Sequence, residues 1–148
     1  MRSIFDARER AELHRRLRTL TPGTPARWGR MTASQMLCHL RDAVESSEKP
    51  GPAEPALGAL TRFPIKQLVI YLLPWPKGKL QSPPDLLASK PQEWTDDLAA
   101  LASALDRVAA RGPAGQWPAS DVFGDLSGAE WGALLRTHID HHLRQFGA

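Results

Sequence analysis

Nine of the chain's thirteen prolines lie between residues 50 and 91, in runs such as PGPAEP, PWPKGK and SPP. Proline lacks an amide hydrogen and clashes with the preceding turn, so neither a long helix nor a central strand can run through that segment. On both sides of it, apolar residues recur three and four apart, the period of a helix that buries one face. The sequence has no strand-pairing pattern, no internal repeat and no glycine-rich phosphate loop. The expected fold class is all-α, with helices before and after one long proline-rich connection.

Four helices can be placed. The first is expected over residues 3–20, with Leu13, Leu17 and Leu20 as its apolar stripe, ending before TPGTP. The second begins at TASQ, where Thr32 and Gln35 can satisfy each other's open amides as a capping box. The third lies within PQEWTDDLAALASALDRVAARG, with acids in its first turn and Gly112-Pro113 as its stop. The fourth starts at LSGAEW on a second capping box, Ser127 with Glu130, and Gly147 can close it. Inside the connection, IKQLVIYLL is expected to form a short buried helix that Pro64 starts and Pro74 ends. At 148 residues the chain suits one domain spanning residues 1–148.

Charge narrows the function classes. The net charge is +3, but residues 1–30 carry eight arginines against three acids, while the remainder is net −2. Such a first helix could meet an anionic partner, or be a solvated face on which Glu9 and Glu12 interleave with arginines. No recognition motif accompanies it, so nucleic acid is not the expected partner. The charged start is unlike a signal peptide, and FPIKQLVIYLLPW is too short to span a bilayer and carries Lys66. Cys38 is the lone cysteine. A soluble, cytoplasmic protein without a membrane partner is expected.

The end of the chain, THIDHHLRQFGA, places His138, His141 and His142 within five positions. On a wheel of about 100° per residue, His142 falls about 40° from His138, amid Trp131, Leu134, Leu135 and Phe146. His141 sits at the edge of that arc, while Asp140 and Arg144 are expected to point to water. Imidazoles four residues apart can reach one metal ion, although the same spacing equally suits two hydrogen-bonded side chains. His39, on the flank of the second helix's apolar arc, is either a half-buried seam residue or a third ligand. His39, His138 and His142 together would give three neutral nitrogen donors and leave one coordination position open. His141 could take the place of His142, and Gln145 could hydrogen-bond a ligand imidazole. His14 reads as surface, Cys38 as a packed thiol, and Arg41 and Arg144 as surface. No catalytic residue can be assigned, with Asp42 the better placed of the two nearby acids.

The helix THIDHHLRQFG resembles the H-x-x-H-H-x-x-Q signature that closes many members of the DinB/YfiT-like superfamily. FGDLSGAEWGALL, MTASQMLCHLRDA and PWPKGKLQSPPDLL resemble one branch of it known only as a domain of unknown function. The likeness runs from Trp28 to Gly147. It implies a DinB-like four-helix bundle, often dimeric, with a divalent metal, zinc or nickel in many members. One histidine of the second helix and two of the last hold that metal, which here match His39, His138 and His142. Members with known chemistry include transferases and isomerases dependent on bacterial thiols. The resemblance thus implies a small-molecule substrate and a homodimer, but the proline-rich connection differs, so the substrate class does not transfer.

The expected function is a divalent-metal-dependent enzyme that activates a low-molecular-weight thiol or water at three histidines. The alternatives are a non-catalytic metal-binding or stress-response module and, last, a DNA-associated protein.

Overall fold

Three helix starts in this chain are set by side chains, those of Asp6, Thr32 and Ser127, that accept the amides a first turn leaves open. The computed structural model describes residues 2–50, 64–71 and 89–148. Within these, α1 spans Ala7–Leu17, α2 Ala33–Ser46, α3 Ile65–Tyr71, α4 Trp94–Ala110 and α5 Gly128–Gln145. Both expected capping boxes form, Thr32 with Gln35 and Ser127 with Glu130. Gly112 (φ +69°) and Gly147 (φ +82°) take the left-handed conformation just past the ends of α4 and α5, as chain reversal there requires. The all-α expectation holds: among the described residues the one β-type pairing is an isolated bridge, Ser120 with Gly124.

The first helix is shorter than expected at both ends. Asp6 is its N-cap, accepting from the Arg8 and Glu9 amides. Residues 3–5 instead cross over α5, where the Ile4 amide donates to the Gly132 carbonyl at 3.1 Å. A Cβ at Gly132 would collide with the Ser3 and Phe5 side chains, so only glycine lets that strap lie so close. α3 follows Pro64, whose carbonyl accepts from the Leu68 amide at 3.1 Å, but it is not the buried helix expected: of its residues Ile70 is buried, while Ile65 and Leu68 are exposed. Pro74 and most of the proline-rich connection lie outside the described residues.

α5 is the central element, packed against α1, α2 and α3, while α2 lies along α4. Leu13, Met36, Leu40, Leu101, Leu105, Leu135, Ile139 and Leu143 are fully buried between them. Because α1 covers a second side of α5, the wheel's expected solvent face is only partly real. Asp140 is 8% exposed, contrary to expectation, with Arg16 of α1 at 2.6 Å from its carboxylate. Arg144, at 64% exposure, does face water. No described helix is long and apolar enough to cross a membrane.

Candidate metal centre

The second capping box sets where α5 begins, and the i,i+4 spacing then stacks His138 and His142 on one face. α2 lies against that face and contributes His39, which is 2% exposed. The His39 and His138 Nε2 atoms are 2.9 Å apart. Those of His138 and His142 are 3.1 Å apart. All three ring centroids lie 4.8 to 4.9 Å from one another. One nitrogen from each residue falls within 4.8 Å of the other two, and the group could hold a metal ion. Nitrogens bound to a single ion at about 2.1 Å in tetrahedral array stand about 3.4 Å apart, so the two Nε2 separations that involve His138 are close to that spacing as they are.

The tautomer of His142 follows from its neighbours. Gln145 Nε2 donates to the Trp28 carbonyl at 2.8 Å, which turns Gln145 Oε1 toward His142 Nδ1 at 2.7 Å. An amide oxygen can only accept, so Nδ1 carries the proton and Nε2 presents a bare lone pair to the centre. The two short Nε2 contacts then cannot each have a proton of their own. His138 Nε2 takes part in both, so one N–H there must serve two acceptors, or two lone pairs must face each other. A cation at the meeting point removes this conflict.

Electrostatics keep His138 and His142 neutral. Burial, with His142 and His39 beside it, holds His138 well below the usual imidazole range. Burial and the His39 ring lower His142 to about 3, against a smaller opposing effect of the Gln145 hydrogen bond. Neutral imidazoles are the ligand form, so protons compete weakly for these nitrogens at ordinary pH.

The other candidates fall elsewhere. His141 is not one of the three converging residues; it stands edge-on to His142 and to the Trp28 ring, at 5.2 and 5.8 Å between centroids. Cys38 is buried, with its thiol raised by burial and by the Asp97 carboxylate, as suits a packed side chain. His14 is not the surface residue expected: it is half-buried at the seam of α1 and α4, with its Nε2 3.1 Å from the Asp106 carboxylate. Arg41 likewise reaches inward, 3.6 Å from buried Asp97. The Asp42 carboxylate accepts from both the amide and the hydroxyl of Ser89, which commits it to tying the chain after the connection back onto α2.

Sequence reasoning missed the support beneath Gln145. Gly29 has φ +78°, and a Cβ there would meet Gln145 Nε2 at 2.8 Å. The Arg27 amide donates to the Gln145 carbonyl at 2.7 Å. The segment before α2 thus clasps the last turn of α5 and orients the amide that orients His142. A glycine in WGRMT was the available signal, but nothing local to it says what approaches. Comparison of the chain with protein-family models, curated proteins and solved structures returned no match.

Proposed function

We propose that the protein is a divalent-metal-dependent enzyme of the DinB-like type, with zinc or nickel held by His39, His138 and His142. The observation that carries this reading is the convergence of three imidazole nitrogens, one of them fixed in the ligand tautomer by Gln145. The four-helix bundle with a long crossover, the homodimer and the cytoplasmic setting belong to the same reading and rest on the family resemblance.

When bound, the cation supplies the positive charge that lets a low-molecular-weight thiol or a water molecule act as an anion near neutral pH. The chain's own residues bind and orient. His39, His138 and His142 would hold a cation through three nitrogen donors without adding negative charge. Gln145 keeps the proton on His142 Nδ1. His39 is buried and His138 and His142 are half-buried, which limits water around the nitrogens.

One observation favours the second reading, a metal-binding module without turnover. No carboxylate joins the three histidines among the described residues, and Asp42, Asp97 and Asp140 all have other partners.

Elemental analysis of the protein as isolated from cells tests the site. Transition metal near one ion per chain is expected, lost in His142→Ala and kept in His14→Ala. Metal-dependent conjugation of bacterial thiols to electrophilic acceptors, or hydrolysis of simple esters and amides, tests the chemistry. Bound metal with silence across both panels would favour the module. No metal in the unaltered protein would remove both readings.

A further inference from the structure

The side of α5 away from the histidines forms, with α1, an open groove of about 510 Å³. Six guanidiniums line it, those of Arg2, Arg8, Arg15, Arg16, Arg136 and Arg144, against the carboxylates of Glu9, Glu12 and Asp140. The carboxylates are oversubscribed. Asp140 alone faces Arg16 at 2.6 Å, Arg144 at 3.0 Å and Arg136 at 3.5 Å. Glu9 is divided between Arg136 at 3.0 Å and Arg2 at 3.5 Å. Glu12 takes Arg15 in a two-pronged pair at 2.7 and 2.8 Å. Arginine does not lose its proton in proteins; against the six guanidiniums stand three side-chain carboxylates and the Ala148 carboxylate, which accepts from Arg16 at 2.9 Å, so a charge of about +2 is left unbalanced.

We propose that this groove binds a compact multivalent oxyanion, a phosphate-bearing small molecule, between α1 and α5. Its floor is built: the Arg16, Arg136 and Asp140 side chains are only 11 to 13% exposed. Buried partners hold the two floor guanidiniums in place, so little ordering is lost when an anion arrives. At the rim, Arg15 and Arg144 are 62 and 64% exposed, with planar donor forks that match phosphate oxygens. The groove's volume is that of a small-ligand site. Glu9 and Glu12 within it would repel the successive phosphates of a long polyanion, which argues for a compact ligand over a nucleic acid.

The test does not depend on the metal site. Pyrophosphate and inorganic phosphate are titrated calorimetrically into the full chain, with a neutral phenanthroline chelator present so that no cation at the histidines contributes. Saturable binding at a single site is expected, tighter for pyrophosphate. Replacing both rim residues, Arg15→Gln with Arg144→Gln, should weaken it by about tenfold or more. Arg107→Gln, an exposed arginine of α4 paired with Glu48, should leave it unchanged. Thermal melts of both variants check that the fold persists. Non-saturable binding, equal weakening by Arg107→Gln, or tighter binding of duplex DNA or an acidic peptide through the same two arginines would overturn the proposal.

Discussion

At the scale of single residues, the candidate centre depends on side chains that touch no metal. Gln145 is the clearest. Gln145→Leu preserves bulk but leaves His142 Nδ1 without its acceptor, and metal affinity should fall by about 10- to 100-fold in a competition titration with a chromogenic chelator. Gly29→Ala should act through the same amide, since a side chain at φ +78° is strained and its Cβ would meet Gln145 Nε2. A variant that lost stability but kept full metal affinity would separate the clasp from the site. Asp140 poses a different problem. Burial alone would raise its carboxyl, yet Arg16, Arg136 and Arg144 together hold it below the usual range. Asp140→Asn would leave Arg16 and Arg136 half-buried beside a neutral amide, and should cost about 2–3 kcal/mol in chemical denaturation.

Among the elements, the capping boxes and the apolar stripes were legible because each is a local pattern. Thr32, Gln35, Ser127 and Glu130 satisfy amides three residues away, so no distant contact is needed to recognise them. Ser127→Ala should cost about 1 kcal/mol in a thermal or denaturant melt, because an open amide at the start of α5 is left without its acceptor. The length of α1 was less legible. Nothing in SIFDARE says that residues 3–5 will leave the helical path to strap across α5, because the reason lies at Gly132, far along the chain. Gly132→Ala should therefore destabilise despite alanine's better helix propensity, with a lower melting temperature as the readout. The position of Asp140 was misjudged for a related reason. A helical wheel assumes one buried side, and α5 has neighbours on several.

Across the whole molecule, the histidine cluster should give the metal-free protein a pH-dependent stability. In the unfolded chain an imidazole takes up its proton near 6.5, whereas folded His142 does so only at about 3. Unfolding therefore binds protons across that interval, and metal-free stability, complete above about pH 6.5, should decline as pH falls toward 3. Urea melts from about pH 7 to 5, above most carboxylate titrations, should show the decline, and it should be smaller in His142→Ala. A flat profile in the unaltered protein would contradict the lowered, neutral state of His142. What the chain alone determined is whatever acts within a few residues: helical period, caps, and the facing of His138 and His142, all consequences of one turn's geometry. Only the tertiary structure decided that His39 meets them, that Trp28 and Gly29 steer Gln145, and that α1 buries Asp140 under arginines. Those contacts join residues dozens of positions apart, and their partners are chosen by how helices pack, which no local spacing encodes.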